Sequence, residues 1–183
     1  MSRITFAGFS LVLALAVSLL PARAEKVPGN LGAKLETKMM APPDIVFAAL
    51  RSIRDGDDSG SCRMLSSTAN ENVVEEVFDG LPVIGKATCV YKETFEAPSK
   101  MSFKMIRSDK LKTFEGEWNF QPVDNGTHTL VKLRTNLDTG LKVPFAKQIT
   151  DMATTNELKE QIADLKKCVE NKQRAIAAGA KTF

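Results

Sequence analysis

The stretch Phe114–Leu130, "FEGEWNFQPVDNGTHTL", decides how the middle of this chain folds. From Phe114 to Phe120 apolar residues and glycine alternate with polar residues, which is the period-two pattern of a strand with one buried face. An Asn-Gly pair follows, at Asn125 and Gly126, and such a pair between two alternating segments favours a tight hairpin. We therefore predict two antiparallel strands joined at this turn.

The same stretch contains the only tryptophan and the only histidine of the chain, Trp118 and His128. His128 has opposite parity to Val131 and Leu133, so its side chain is predicted to point to solvent rather than to serve as a general base. Trp118 lies on the inner face. The stretch thus indicates the wall of a hollow more than a catalytic centre.

Working outward, the same patterns predict an α+β chain. Predicted strands cover Lys34–Met39, Ser61–Ser67, Asn72–Phe78, Gly85–Glu96, Lys100–Arg107, Lys112–Gln121 and Thr127–Leu137. Pro42 and Pro43 suit the start of a helix, which is predicted over the following segment "DIVFAALRSIRD" (44–55). Pro144 opens a long amphipathic helix with Phe145, Ile149, Met152, Leu158, Ile162, Leu165 and Val169 as its apolar positions. This order predicts a bent antiparallel sheet of about seven strands wrapped around a long C-terminal helix.

The N-terminus has the features of a secretory signal peptide. Arg3 is followed by an apolar segment and then by Ala22-Arg23-Ala24, an A-x-A cleavage site. A retained membrane anchor is the alternative, although the segment is short for a span. We expect a signal peptide over 1–24, a tether over 25–33, one domain over 34–174 and a flexible tail over 175–183. The protein is accordingly expected to be exported, either to a periplasm or to the medium.

Charge and cysteine content exclude several classes of protein. Without Arg3 and Arg23, the 25 basic residues become 23 against 22 acidic ones, a balance that argues against nucleic-acid binding. The three cysteines permit one disulfide, from Cys62 or Cys89 to Cys168, or none. Their spacing does not suit zinc, and the acidic turn over 55–60 lacks EF-hand spacing. No metal or cofactor is predicted.

Four segments resemble a known superfamily. They are "KMMAPPDIVFAAL" (38–50), "APSKMSFKMI" (97–106), the stretch from Phe114 to Phe145, and "NELKEQIADLKKCVE" (156–170). Together they resemble the helix-grip superfamily of START lipid-transfer domains, the birch-pollen allergen family, polyketide cyclases and coenzyme Q-binding proteins. The resemblance implies a deep apolar cavity between the concave face of the sheet and the long helix.

The inner strand faces are consistent with such a cavity, although a filled core would need the same apolar residues. The predicted ligand-binding residues are Cys89, Tyr91, Glu93, Met101, Phe103, Met105, Phe114, Trp118, Phe120, Val131 and Leu133 on the strands, and Ile149 and Met152 on the long helix. Gly116 is expected to border the same space, so that Gly116→Leu would displace a guest without disturbing the fold.

Two predicted loops are apolar where turns are normally polar. They are "GLPVIG" and "GLKVPF", with Leu81, Val83, Ile84, Leu141, Val143 and Phe145 as the apolar residues. Exposed apolar loops mark a ligand gate, a membrane surface or a partner, whereas burial in local contacts is the alternative. In the helix-grip superfamily that the chain resembles, such loops border the cavity, so the resemblance implies that they form its mouth, and a transient contact with a membrane is expected.

These observations favour an exported, monomeric binding or carrier protein for a lipid or another hydrophobic small molecule. The alternative is a cyclase-like or hydrolase-like enzyme, in which Glu93 and Tyr91 would carry proton transfer because a carboxyl on an apolar wall has a raised pKa. A further alternative is an interaction module of the cell envelope without a ligand.

Overall fold

A computed structural model of the protein describes residues 32–55, 61–142 and 144–179. The predicted signal peptide, most of the tether, the acidic turn after Asp55, Val143 and the last four residues lie outside the described residues. The elements are β1 (Ala33–Met39), α1 (Pro43–Asp55), β2 (Cys62–Ser67), β3 (Glu71–Leu81), β4 (Gly85–Glu96), β5 (Lys100–Ser108), β6 (Thr113–Val123), β7 (His128–Asp138) and α2 (Ala146–Ala177).

The strands form one antiparallel sheet of seven, in the order β1-β7-β6-β5-β4-β3-β2. Strands β2 to β7 follow one another as hairpins, and β1 returns to pair with β7, where Leu35 lies opposite Leu133. The sheet is open, with β1 and β2 at its edges. The predicted α+β helix-grip architecture is confirmed.

The hairpin between β6 and β7 has the predicted turn. Val123 pairs with His128 across it, and Asn125 and Gly126 adopt positive φ angles of 56° and 83°. Asparagine and glycine tolerate this left-handed backbone better than other residues, so the local sequence is sufficient to place the turn.

One face of the sheet is buried against the two helices. The predicted inner positions Ala87, Cys89, Tyr91, Glu93 and Phe95 of β4 are all buried. The inner positions of β5, β6 and β7 follow the same alternation, with Met101, Phe103, Phe114, Trp118, Phe120, Thr129, Val131, Leu133 and Thr135 buried. The predicted strand faces are therefore correct.

Helix α2 departs from the prediction of one continuous apolar stripe. Leu158, Leu165 and Val169 are buried, whereas Ile149 is 44% and Met152 70% exposed. Nine residues separate Ile149 from Leu158, which is about two and a half turns and places them on opposite sides of the helix. The seven apolar residues thus form two separate stripes, and only the C-terminal one covers the sheet.

The C-terminal end of α2 lies beyond the predicted domain boundary. The helix continues through Ala175 to Ala177, because alanine is the strongest helix former. Gly179 then adopts φ 77°, and the amide of Ala178 donates to the carbonyl of Arg174 at 2.9 Å. A left-handed glycine after the last turn is the usual way to end a helix.

The cysteines do not form a disulfide, and all three lie within the described residues. The thiol of Cys168 instead donates to the carbonyl of Ala49, at 3.6 Å, because α2 packs on α1 there. Cys62 and Cys89 both lie opposite Glu76 of β3 and are two strands apart. Neither α1 nor α2 is both long and apolar enough to span a membrane.

Candidate functional site

A cavity of about 400 Å³ lies between the inner face of the sheet and the N-terminal half of α2. This volume falls within the range of ligand pockets. Its lining comprises Arg54, Ser61, Glu76, Val77, Phe78, Asp79, Gly80, Leu81, Pro82, Phe103, Phe114, Trp118, Thr135, Leu137, Thr150, Ala153, Thr154, Glu157, Leu158 and Gln161.

The sheet side of this cavity is aromatic. Phe103 and Phe114 lie with ring centroids 4.9 Å apart, and Phe78 meets Phe114 edge-on at 5.0 Å. Trp118 lies on the same wall and is 4% exposed. Large planar rings that contact one another make a wall that a guest can pack against without moving the backbone.

The helix side of the cavity is lined by small and polar residues. Thr150, Ala153, Thr154 and Gln161 face it from α2. The hydroxyl of Thr150 donates to the carbonyl of Ala146 at 2.9 Å, and the hydroxyl of Thr154 donates to the carbonyl of Thr150 at 2.8 Å. Because these side chains are short and already hydrogen-bonded, they leave unfilled space beneath the helix.

A buried ion pair lies behind the cavity. Arg54, at the end of α1, donates from Nε to Oε1 of Glu93 at 2.8 Å, and Glu93 is 0% exposed. The second carboxylate oxygen of Glu93 accepts from Nδ2 of Asn72 at 3.2 Å, and Ser67 donates to the amide oxygen of Asn72 at 2.9 Å. A buried charge requires such partners, and here both oxygens of the carboxylate have one.

Tyr91 connects this pair to a second carboxylate. Nη2 of Arg54 donates to the Tyr91 hydroxyl at 3.1 Å, and the hydroxyl donates to Oε2 of Glu76 at 2.6 Å. Burial raises the pKa of Tyr91, as do the carboxylates of Glu76 and Glu93, whereas Arg54 opposes them. The phenol therefore keeps its proton at neutral pH and acts as a donor.

Arg54 likewise keeps its proton at neutral pH. Burial by itself would lower the pKa of this guanidinium, but Tyr91, Glu93 and Glu76 around it raise the pKa above its ordinary value. Arg54 is therefore a permanent cation that is held between two carboxylates.

The predicted ligand-binding residues fall into three groups. Phe103, Phe114 and Trp118 line the cavity. Other predicted residues are part of the core around it: Cys89, Tyr91, Glu93, Met101, Phe120, Val131 and Leu133 are buried, and Met105 is partly buried. Ile149 and Met152 are exposed on the outer side of α2, so placing them in the cavity was wrong. The reason is their position around the helix axis, where Ile149 lies half a turn and Met152 a third of a turn away from Leu158.

Glu93 and Tyr91 do not have the geometry that the enzyme alternative requires. Neither lines the cavity; the carboxylate of Glu93 is occupied by Arg54 and Asn72, and the hydroxyl of Tyr91 donates to Glu76. Both side chains position Arg54 and Glu76, which do reach the cavity. A proton-transfer role for Glu93 therefore has no support in this arrangement.

Gly116 does not border open space, contrary to the prediction. A Cβ atom at this position would lie 2.3 Å from the ring of Phe103 and 2.2 Å from the carbonyl oxygen of Arg134. The Phe103 ring thus covers the glycine and reaches the cavity in its place. Gly116→Leu would displace the aromatic wall and strain the backbone, so it cannot serve as a simple cavity-filling change.

The first apolar loop contributes to the cavity, whereas the second borders a neighbouring hollow. Leu81 lines the cavity, and Ile84 packs on the core next to it. Leu141 lines a second hollow of about 250 Å³, which shares Leu137 and Thr150 with the main cavity. Val83 and Phe145 are 63% and 71% exposed. Val143 lies outside the described residues.

His128 is remote from the cavity. Its Nδ1 lies 3.1 Å from Oδ2 of Asp124 and 2.9 Å from the hydroxyl of Thr127, both in the β6–β7 turn. Lys38 also contacts Asp124, and these contacts lower the pKa of the aspartate, chiefly through the Lys38 hydrogen bond. This histidine belongs to a surface ion cluster.

Glu76 and Arg54, two charged residues that line the cavity, were not predicted from the sequence. Glu76 has the same parity as Asn72, Val74 and Phe78, so alternation along β3 could have identified it. Arg54 carries no comparable signal, because a basic residue in the last turn of a helix usually interacts with the helix dipole. No cluster of metal-binding side chains occurs among the described residues.

Comparisons with known proteins agree with this architecture. No family model and no curated protein sequence matches the chain. Among solved structures, the ZhuI aromatase/cyclase from Streptomyces sp. R1128 is 16% identical, with a TM-score of 0.59 over 82% of this chain and 98% of its own. A START superfamily protein from Mycobacterium smegmatis is 11% identical, with a TM-score of 0.56 over 76% and 97%.

A third similar structure is the di-domain aromatase/cyclase StfQ of the steffimycin pathway. It is 13% identical with a TM-score of 0.56, and the match covers 78% of this chain and 52% of that protein. At such identities the likeness is one of fold. The protein therefore has the START-like helix-grip fold that the sequence resembles.

Proposed function

We propose that the protein is an exported, monomeric carrier that holds a hydrophobic small molecule, such as a lipid, in the cavity beneath α2. The observation that supports this most directly is the combination of an aromatic wall, formed by Phe103, Phe114 and Trp118, with an opposing helix face too small to fill the space. A core evolved only for stability would be packed to high density.

Two measurements test binding. Because Trp118 is the only tryptophan and lies on the cavity wall, a neutral apolar probe such as 1-decanol should change the intrinsic fluorescence in a saturable manner. Organic extraction of protein purified from its native source, followed by mass spectrometry, should recover a stoichiometric apolar compound. Absence of both signals would contradict a carrier role.

Export rests on the charge, apolar segment and A-x-A site of the first 24 residues. N-terminal sequencing of protein recovered from the periplasm or the medium should begin at Glu25. A full-length chain that fractionates with membranes would contradict both export and the freely diffusing carrier.

Transient membrane contact is supported by exposed apolar side chains in the two loops and on α2. Val83 and Phe145, in the two apolar loops, are 63% and 71% exposed, and Met152 is 70% exposed on the outer side of α2. Lys110 and Lys142 lie in the flanking turns and would complement anionic headgroups. This arrangement would allow the cavity to open against a bilayer.

Vesicles containing anionic phospholipid should co-sediment with the wild-type protein, and binding should fall at least fivefold in a Val83→Asp, Phe145→Asp double variant. Met40→Asp is the matched control, because Met40 is 67% exposed but lies near Gln173 at the other end of α2. Equal losses in both variants would indicate nonspecific adsorption and contradict the contact.

A further inference from the structure

We propose that the second hollow is a subsite for the headgroup of the guest. The guest is then an amphiphile with one apolar chain, which lies in the main cavity, and one uncharged headgroup, which forms hydrogen bonds in the second hollow. This inference rests on the proposed carrier function and names the chemical class of its guest. It follows from the position, polarity, charge and size of the second hollow.

The second hollow adjoins the main cavity. Leu137 and Thr150 line both spaces, and these two residues are 7% and 4% exposed. Leu137 lies opposite Phe114 in the β6–β7 pair, so the boundary between the two spaces begins at the aromatic wall. A guest that packs its chain against this wall therefore has its other end beside the second hollow.

The lining of the second hollow is more polar than the aromatic wall. It comprises Lys112, Thr113, Asn136, Leu137, Asp138, Thr139, Leu141, Ala146 and Thr150. On β6, Thr113 directly precedes Phe114 of the aromatic wall. On β7, Asp138 directly follows Leu137, so the lining changes from apolar to polar on both strands at the same step. Because threonine hydroxyls and asparagine amides both donate and accept hydrogen bonds, this step favours a guest with an apolar chain and a polar end.

The charges in the second hollow cancel. Among the described residues of its lining, Lys112 is the only basic one and Asp138 the only acidic one. Nζ of Lys112 lies 3.6 Å from Oδ2 of Asp138. A cationic or anionic headgroup would be attracted by one of these charges and repelled by the other, so the hollow favours a headgroup without charge.

The volumes of the two spaces limit the size of the guest. The main cavity has about 400 Å³ and the second hollow about 250 Å³. A water molecule takes up about 30 Å³ and a methylene group is of similar size, so the two spaces hold about 13 and about 8 such groups. One alkyl chain of medium length and one small headgroup, such as a polyol, therefore fit, whereas two long acyl chains do not.

The test uses three probes with a ten-carbon chain and different polar ends: 1-monodecanoylglycerol, methyl decanoate and decyl phosphate, each below its critical micelle concentration at pH 7. Trp118, on the wall of the main cavity, reports binding through its fluorescence. We expect monodecanoylglycerol to bind about tenfold more tightly than methyl decanoate, because the two esters share one acyl chain and only the first has hydroxyls. Decyl phosphate should bind no more tightly than methyl decanoate.

A double variant, Thr113→Val with Thr139→Val, removes two hydroxyls from the second hollow at nearly constant side-chain volume. It should bind the two esters within about threefold of each other, because methyl decanoate makes no use of these hydroxyls. Thr94→Val is the matched control, because Thr94 lies between the buried Glu93 and Phe95 of β4 and so points to the outer face of the sheet. The control should keep the tenfold preference.

The outcomes separate the headgroup subsite from the carrier function. Methyl decanoate or decyl phosphate binding as tightly as monodecanoylglycerol, or a double variant with the same preference as Thr94→Val, would overturn the subsite and leave the carrier function intact. Recovery of a lipid with two long acyl chains from the native protein would overturn the single-chain class. If none of the three probes binds to the wild-type protein, the carrier function itself fails and the subsite fails with it.

Discussion

The two ends of the concave sheet face differ in how they are filled. At one end α1 inserts Phe47, whose ring meets those of Phe95 and Phe120 at 6.3 and 5.7 Å, and α2 presents Leu165 and Val169, all buried. At the other end the same sheet face carries Phe103, Phe114 and Trp118, but α2 presents Leu158 as its only large apolar residue, beside threonine, alanine, glutamate and glutamine, and a cavity of about 400 Å³ remains.

The covering helix, rather than the sheet, therefore determines whether the space between the sheet and the helices is filled. Both ends have aromatic and aliphatic strand residues with the same alternation. The filled end has a second helix and long apolar side chains on α2, whereas the hollow end has Thr150, Ala153 and Thr154. Substitutions at the filled end and at the hollow end should therefore differ in their effects on stability and binding.

The largest effect is expected at the filled end. Phe47→Ala should lower the free energy of unfolding by about 3–5 kcal/mol, because it removes a ring packed on two others and leaves a void. Thr154→Ala at the hollow end should change it by less than about 1 kcal/mol, because its hydroxyl bonds only to its own helix. Urea denaturation of both variants measures the difference. Comparable losses in the free energy of unfolding would contradict the claim that one end of the sheet face is filled and the other is hollow.

The buried ion pair forms the boundary between the two ends. Glu93→Gln should cost about 2–4 kcal/mol of stability, because Arg54 would stay a cation and lose one of the two carboxylates beside it. Glu75→Gln, which affects an exposed pair on the other face, should cost at most about 1 kcal/mol. Thermal denaturation provides the comparison, and a Glu93→Gln variant as stable as Glu75→Gln would show that the pair is dispensable.

Adding the same side chain at each end tests the packing directly. Ala49→Leu, at a fully buried position of α1, should overpack the filled end and cost about 1–3 kcal/mol. Ala153→Leu, on the cavity side of α2, should leave stability within about 1 kcal/mol of the wild type and weaken decanol binding at least tenfold. Destabilisation by Ala153→Leu without loss of binding would show that the hollow is not the ligand site.

The smallest effect concerns alkaline pH. Burial raises the pKa of Tyr91 above its ordinary value of 10.0, so the native state keeps a proton that the unfolded state releases above pH 10. Stability contributed by Tyr91 should be intact below pH 10 and fall by about 1 kcal/mol over the next pH unit. Tyr91→Phe should abolish this slope.

Phenolate absorbance reports on Tyr91 alone, because Tyr91 is the only tyrosine of the chain. Its absorbance in the native protein should show no phenolate formation at pH 10.5, whereas denatured protein should show it. Ionisation of the native protein near pH 10 would mean that the hydroxyl is open to solvent and that the link between Arg54 and Glu76 is absent.

The thiol reactivities of Cys89 and Cys168 compare a buried position with a partly exposed one. Burial, together with Glu76 and Asp109, raises the pKa of the Cys89 thiol to about 12, so little thiolate forms at pH 8. Cys89 should react with a thiol reagent far more slowly than Cys168, which is partly exposed, until the protein is denatured. Equal rates in native protein would contradict the closed packing around β4.

The strands, their inner faces, the Asn-Gly hairpin and the long C-terminal helix could be predicted from the sequence, because they depend on periods of two and 3.6 residues and on local turn chemistry. The sequence also placed Phe103, Phe114 and Trp118 correctly on the wall of the cavity. Alternation along one strand is sufficient for such assignments, since it does not depend on distant residues.

The position of the cavity and the charged residues that line it could not be predicted from the sequence, because they depend on how the helices pack on the sheet. The phase of α2 against the sheet turned Thr150 and Thr154 inward and Phe145 and Met152 outward, because packing selected the stripe that contains Leu158 and Leu165. The structure also brought Arg54 from α1 to Glu93, 39 residues away in sequence, and so made that carboxylate a buried anchor instead of a proton donor. Ion pairs of this kind depend on which helices and strands are in contact, and the local periodicity of the sequence contains no information about those contacts.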